Sequence, residues 1–76
     1  MIERPLDLLN ESKGKQVLIY CKEGEIFSGE LLAFDIHINV ALDDMQELDR
    51  EGNVRKKLGL SFIRGDTIKY ISPGKK

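Results

Sequence analysis

Residues 34–40 read Phe-Asp-Ile-His-Ile-Asn-Val, which places Asp35, His37 and Asn39 at every second position among apolar residues. This alternation fits either the solvated face of a strand or a small recognition site. Asp and Asn are poor strand residues and good turn residues, because their side chains hydrogen-bond to the local backbone. We therefore predict that the chain reverses within this stretch, in the turn of a β-hairpin.

Two strands are predicted before this turn. Residues 16–21 show the period of two that is typical of a strand, residues 22–25 (Lys-Glu-Gly-Glu) supply turn chemistry, and residues 26–34 form a second, longer strand. Glycine weakens a straight strand, so Gly29 marks a bend or a close approach of another backbone. A long bent strand is what a small, strongly curved sheet requires.

An acidic loop is predicted between the two strands that follow the turn. Val40 begins a return strand that leads into this loop at about residues 43–53, and residues 54–63 form the next strand. The basic residues of that strand lie opposite the acidic residues, which favours cross-strand pairs of opposite charge.

The two ends of the chain complete the pattern. Pro5 suits the first turn of a helix because its missing N–H would have no partner there, and we predict a one-sided helix over about residues 3–13. Residues 64–66 (Arg-Gly-Asp) form a tight turn before a last short strand at residues 67–71, and residues 72–76 form a tail.

One helix and five short strands predict a mostly β domain. Since no helical crossover is available, the sheet must be antiparallel, and five bent strands favour an open barrel. The 76 residues support one small core, which is only marginally stable alone. The two end strands leave backbone groups unpaired, so pairing with neighbouring copies would close a ring.

Composition excludes several classes of function. A net charge of −1 argues against a charge-driven nucleic-acid binder, although residues 43–51 are acidic and residues 52–76 are basic. No apolar run approaches the roughly 20 residues that cross a bilayer, and no signal peptide is recognisable, so we expect no membrane partner. The single cysteine, Cys21, indicates a cytoplasmic location and is expected to be a buried small hydrophobe.

An enzyme is not predicted. The sequence has one histidine, no ligand cluster with metal spacing, no phosphate-binding glycine loop and no nucleophile with an evident base. The carboxylates of the acidic loop lack the spacing of a cation-binding loop and are expected to form a solvated rim. We therefore expect no catalytic residue, no metal and no cofactor.

Two motifs flank the acidic loop. The first, at about residues 16–43, contains Asp-Ile-His-Ile-Asn at 35–39, and the second, at about residues 58–71, contains Ile-Arg-Gly-Asp at 63–66. Together they resemble the two-part signature of the Sm and Sm-like (LSm) proteins, and most of all that of archaeal LSm proteins. The resemblance covers nearly the whole chain, as a single Sm-like domain over residues 1–76.

This resemblance implies the Sm fold, an open SH3-like barrel in which a helix caps a strongly bent five-stranded antiparallel sheet. It also implies a homo-oligomeric ring, usually a heptamer and sometimes a hexamer, closed by the fourth and fifth strands. The uridine-binding site of the family falls on two loops near the central pore, with Asp35 in a supporting position. Its binding residues in this sequence are His37, Asn39, Arg64, Gly65 and Asp66.

The chemistry of these residues suits a base. His37 and Arg64 offer flat groups that can sandwich a base, and single-stranded RNA is read mostly on such exposed bases. The Asn39 amide offers one donor and one acceptor, which match uracil O4 and N3–H, whereas cytosine reverses that pattern. Gly65 allows close backbone approach, so that its N–H or that of Asp66 can reach the remaining oxygen. The predicted function is binding of U-rich single-stranded RNA, one nucleotide per subunit, in RNA processing or ribonucleoprotein assembly.

Each feature has an ordinary alternative. His37 alone fits an exposed histidine, and Asn39 and residues 64–66 alone fit simple turns. A second RNA surface on the helix, at Arg4, Asn10 and Lys13, is explained equally well by a solvated helix face. The competing function is a protein-interaction adaptor of small-barrel fold, but a peptide groove wants clustered exposed aromatics and the chain has no Trp. RNA-processing proteins are possible partners of the acidic rim.

Overall fold

The computed structural model describes residues 5–73. Within this range the chain forms a short α-helix, five strands and one turn of 3-10 helix. In chain order these are α1 (Pro5–Asn10), β1 (Gln16–Cys21), β2 (Ile26–Phe34), β3 (Val40–Leu48), β4 (Val54–Ile63), η1 (Gly65–Thr67) and β5 (Ile68–Ser72).

The strands form one antiparallel sheet in the order β4-β3-β2-β1-β5. The predicted mostly β fold, with a helix followed by five antiparallel strands, is confirmed. β4 and β5 lie at opposite edges, so each has one side that pairs with no strand of the described chain. No helix within residues 5–73 is long and apolar enough to cross a bilayer.

The core lies on one face of the sheet and consists of side chains from alternate positions along the strands. Val17, Ile19, Leu31 and Leu42 are almost completely buried. Each such side chain contributes about 1.5–3 kcal/mol through removal of apolar surface from water. Cys21 is buried beside them, as predicted, and this burial raises the pKa of its thiol.

Gly29 lies at a close approach between β2 and β3, which confirms the prediction made for it. A Cβ at this position would lie 3.0 Å from the carbonyl oxygen of Asp43 and 3.0 Å from Cβ of Leu42. The pairing register of β2 and β3 shifts on either side of Leu31. Such irregularities bend a sheet, and the bend here curves the sheet around its core.

The helix ends earlier than predicted. α1 stops at Asn10, and the chain continues through hydrogen-bonded turns to Lys15 instead of remaining helical to about residue 13. The N–H of Gly14 donates to Leu31 O at 2.8 Å, and the N–H of Leu31 donates to Lys15 O at 2.9 Å. These bonds pull the chain into the sheet before a further helical turn can form. Residues 3 and 4 of the predicted helix lie outside the described range.

The predicted acidic loop at residues 43–53 is mostly strand. Residues 43–48 belong to β3 and pair with both β2 and β4, which leaves only residues 49–53 as a turn. The predicted pairing of opposite charges is present here, since Glu47 lies opposite Lys56 and its Oε2 lies 3.8 Å from Nη1 of Arg55. Pairing on both sides outweighs the poor strand propensity of the acidic residues.

Candidate nucleic-acid interface

Residues 35–39 form the turn between β2 and β3, as predicted. The N–H groups of His37 and Asn39 donate to Oδ1 of Asp35 at 2.9 and 3.1 Å, and Nδ2 of Asn39 donates to Oδ2 of Asp35 at 3.0 Å. These hydrogen bonds, that of the Asn39 side chain foremost, lower the pKa of Asp35. Asp35 therefore holds the turn together and fixes the Asn39 amide.

The turn between β4 and β5 begins with Arg64 and continues into η1. The carbonyl oxygen of Arg64 accepts hydrogen bonds from the N–H of Thr67 at 3.1 Å and from its Oγ1 at 2.8 Å. Nη2 of Arg64 lies 3.0 Å from Oδ2 of Asp66. Sequence reasoning missed Thr67, although a threonine three residues after a turn residue is a known signal for this kind of bond to the backbone.

A single hydrogen bond joins the two turns. The N–H of Gly65 donates to Oδ1 of Asn39 at 2.7 Å, across 26 residues of sequence. A Cβ at Gly65 would overlap the carbonyl oxygen of His37 and lie 2.8 Å from the carbonyl carbon of Ile38. Glycine is therefore required for the turns to approach this closely, as the sequence predicted in general terms.

The joined turns leave the Asn39 amide half used. An amide oxygen accepts two hydrogen bonds and an amide nitrogen donates two. Oδ1 accepts one from Gly65 and Nδ2 donates one to Asp35. One donor and one acceptor remain, on an amide that these two bonds hold in place.

The Gly65 N–H is not the free donor that the sequence suggested, because it already donates to Oδ1 of Asn39. The first N–H groups of a helical turn have no partner within that turn. In η1 this leaves the Asp66 N–H as the backbone donor beside the joined turns.

The two flat side chains lie in different depressions of the surface. His37 lines a groove with Leu9 of α1 and Tyr70 of β5, while Arg64 lines another with Phe62. The Arg64 side chain is 81% exposed and is held by Asp66. The sandwich of a base between His37 and Arg64 therefore stays a prediction.

Ile38 is a residue of the turn that sequence reasoning did not single out. Its φ is +61°, a left-handed conformation that β-branched residues rarely adopt. Such strain costs roughly 1–3 kcal/mol and persists only where the surroundings enforce it. The side chain of Ile38 packs against the hydrophobic core, which offsets this cost.

The turn at residues 49–53 repeats the local chemistry of residues 35–39. Asp49 Oδ1 accepts from the N–H groups of Glu51 and Asn53 at 2.9 Å each, and these bonds lower the pKa of Asp49. The position of Ile38 is taken here by Gly52, with φ +92°. An Asp followed four residues later by an Asn therefore indicates this kind of turn at both places in the sequence.

The remaining predicted site residues lie elsewhere. Asn10 ends α1 and Lys13 lies in the turn after it, and both are exposed, while Arg4 lies outside the described residues. The second RNA surface on the helix stays a prediction. Residues 5–73 contain no group of three or more His, Cys, Asp or Glu side chains that could hold a metal ion.

A short helix, a bent five-stranded antiparallel sheet and two joined turns define a small open-barrel domain of the Sm type. A model of the LSM domain family matches residues 7–73, so the chain belongs to the LSM family of Sm and Sm-like proteins. The family predicted from the two sequence motifs is confirmed. This membership also confirms that the chain is not an enzyme, because Sm-like proteins are structural RNA-binding proteins.

Relatives match over nearly their full length. A protein of Thermococcus kodakarensis whose name describes it as snRNP Sm-like is 48% identical over 73 residues, which cover 96% of this chain and 95% of the relative. The structure of a Pyrococcus abyssi Sm protein in complex with a uridine heptamer is 44% identical, with a TM-score of 0.87 over 92% of this chain and 97% of that one. The P. aerophilum SmAP1 heptamer is 34% identical, with a TM-score of 0.89 and complete coverage of both chains.

Asp35→Asn is expected to weaken the β2–β3 turn in a pH-dependent way. The introduced amide retains one acceptor oxygen and places N–H groups where Asp35 now accepts. Because the folded-state pKa of Asp35 lies below its ordinary 3.8, its stabilisation is present above pH 3.8 and is lost as the pH falls through the lowered value. Urea unfolding should show a gap between wild type and variant at neutral pH that closes in acid. A gap that persists unchanged in acid would contradict this role.

Gly65→Ala is expected to separate the two turns. The added methyl overlaps backbone of residues 37 and 38, so we expect a loss of about 1–3 kcal/mol in the free energy of unfolding. Faster hydrogen exchange of the Asn39 side-chain amide should accompany it, measured by NMR. Gly52→Ala is the matched control, since a Cβ there meets nothing within 4 Å and only its left-handed backbone costs about 1 kcal/mol. Equal behaviour of the two variants would show that the contact is unimportant.

Proposed function

We propose that this chain binds U-rich single-stranded RNA at the joined turns, in a ring of its own copies. The observation that carries the proposal is the Asn39 amide, which Asp35 and Gly65 hold with one donor and one acceptor to spare. The uridine heptamer bound by the P. abyssi Sm protein supports it, since that protein is 44% identical to this chain.

The free groups of Asn39 select uracil. The remaining Nδ2 N–H donates to uracil O4, and the remaining lone pair of Oδ1 accepts from uracil N3–H. Cytosine has a donor in place of O4 and an acceptor in place of N3–H, so both contacts would be lost and polar groups left unpaired. The Asp66 N–H supplies the remaining donor for uracil O2.

Stacking supplies the sequence-independent part of the affinity. The His37 ring and the Arg64 guanidinium each offer a face to a base, and such stacking contributes about 1–3 kcal/mol per base. Arg64 is exposed and pairs with the neighbouring Asp66, so it can turn towards a base without disturbing the core. Asp66 then acts as the residue that keeps Arg64 close to the site.

The edges of the sheet favour assembly into a ring. β4 exposes large apolar side chains along an unpaired edge, among them Leu60 at 61% and Phe62 at 77% exposed. β5 offers the other free edge, so β4 of one copy can pair with β5 of the next. The heptameric P. aerophilum structure supports seven copies, and one RNA strand bound by several sites gains affinity because successive contacts are intramolecular. Such a ring would serve RNA processing or ribonucleoprotein assembly.

Binding of fluorescent hepta-uridine and hepta-cytidine, measured by anisotropy, tests this proposal. We expect hepta-uridine to bind more tightly by at least about a hundredfold, because the loss of two hydrogen bonds recurs at each occupied site. Asn39→Ala and Arg64→Ala should remove most hepta-uridine affinity, while native mass spectrometry still finds the ring.

Asn53→Ala provides the matched control, because Asn53 makes the same local bonds to Asp49 in a turn without the Gly65 contact. It should bind hepta-uridine as the wild type does. Equal affinity for both homopolymers would refute base reading. Loss of the ring in Asn39→Ala or Arg64→Ala would instead identify the turns as structural, and an RNA-free ring would favour the protein adaptor.

A further inference from the structure

One side chain from each strand lies in a single row across the face of the sheet opposite the core. In the strand register Tyr70 is opposite Tyr20, Tyr20 is opposite Ile26, Ile26 is opposite Leu48, and Leu48 is opposite Val54. Directly opposed residues project from the same face of a sheet. We call these five residues the outer row.

The outer row is apolar and accessible. In a single copy Tyr70 is 52% and Val54 48% exposed, and the three residues between them are half-buried. Tyr70 and Val54 lie on the edge strands that pair in the proposed ring, so the centre of the row is the part that stays accessible there. The rings of Tyr20 and Tyr70 stack with their centroids 4.5 Å apart. The core does not use these side chains, and of the five residues Tyr70 also lines the groove of His37 and Gly65. An apolar strip with polar surroundings marks an interaction site.

The charge beside the centre of the outer row is negative. A groove at the end of β2 and β3 is lined by Ile26 and Leu48 of the row together with charged side chains of the adjoining turns and strands. Four carboxylates face two guanidinium groups there: Glu23, Glu25, Glu47 and Asp49 against Arg50 and Arg55. This excess of carboxylates repels phosphate and attracts cations.

We propose that the outer row is a docking surface for an amphipathic protein helix that carries Lys or Arg beside its apolar face. Strands lie about 4.8 Å apart and a helix rises about 5.4 Å per turn, so successive turns of a helix laid across the strands meet successive residues of the row. The sheet curves around its core, so this face is convex, and a straight helix of roughly 13 residues makes its closest contacts at the centre of the row, at Ile26 and Leu48. The cations of the helix then lie over the acidic groove.

The centre of the outer row, at Ile26 and Leu48, lies away from the joined turns. Ile26 begins β2 and Leu48 ends β3, whereas residues 35–39 connect the other ends of these two strands. A helix centred on Ile26 and Leu48 therefore lies at the opposite end of β2 and β3 from Asn39, and the row meets the groove of the joined turns at Tyr70.

Binding of designed peptides to the full chain tests the proposal. The probes are two fluorescent peptides of about 14 residues, one of Leu and Lys and one of Leu and Glu, both patterned as amphipathic helices. We expect the Leu-Lys peptide to bind about tenfold or more tightly than the Leu-Glu peptide at moderate salt. Ile26→Thr with Leu48→Thr, and separately Glu23→Lys with Glu25→Lys, should each weaken it about tenfold.

Leu32→Thr is the matched control, because Leu32 is an exposed apolar residue of β2 outside the row. It should bind the Leu-Lys peptide as the wild type does, and every variant should retain hepta-uridine affinity and ring mass. The proposal would be overturned if the two peptides bound equally, or if neither double variant lowered the affinity for the Leu-Lys peptide. Loss of hepta-uridine binding in them would assign the row to RNA, and a change in their oligomeric mass would assign it to another copy of the chain.

Discussion

The hydrogen bond from the Gly65 N–H to Oδ1 of Asn39, with an N···O distance of 2.7 Å, is the contact on which the proposed RNA site depends. It joins two turns that lie at different places in the sheet, and it uses one acceptor of the amide while Asp35 uses one donor. The orientation of the amide is thereby set before any ligand arrives. A group fixed in advance loses little freedom on binding, which favours both affinity and discrimination.

Comparison of the two Asp-x-x-x-Asn turns shows which features of the turn arise from local sequence and which arise from contacts with the rest of the fold. The turns at residues 35–39 and 49–53 share the aspartate that accepts from two backbone N–H groups. Gly52 takes the left-handed position in one turn at no steric cost, whereas Ile38 takes it in the other under strain. Since Ile38 packs against the core, this strain is the cost of anchoring the first turn where Gly65 can reach it.

The parts of the fold set by local patterns were predictable. β2 and β4 cover the residues expected from their alternation, and the turn at residues 35–39 follows from Asp and Asn. The helix end and the strand character of residues 43–48 were not predictable in this way, because they depend on Leu31 bonding to residues 14 and 15 and on pairing of β3 with two neighbours. Gly65 could likewise be predicted as a site residue from the sequence. That its N–H donates to Asn39 could not be predicted, because this bond joins turns that lie 26 residues apart.

The most direct test removes the uracil N3–H that is proposed to donate to Oδ1 of Asn39. Hepta-uridine should be compared with the same oligomer of 3-methyluridine, which lacks N3–H, and of 5-methyluridine, which keeps it. We expect 3-methylation to lower the affinity of the wild-type ring sharply and 5-methylation to leave it nearly unchanged. Undiminished binding of the 3-methyluridine oligomer would contradict the claim that the Asn39 amide, fixed by Asp35 and Gly65, recognises uracil.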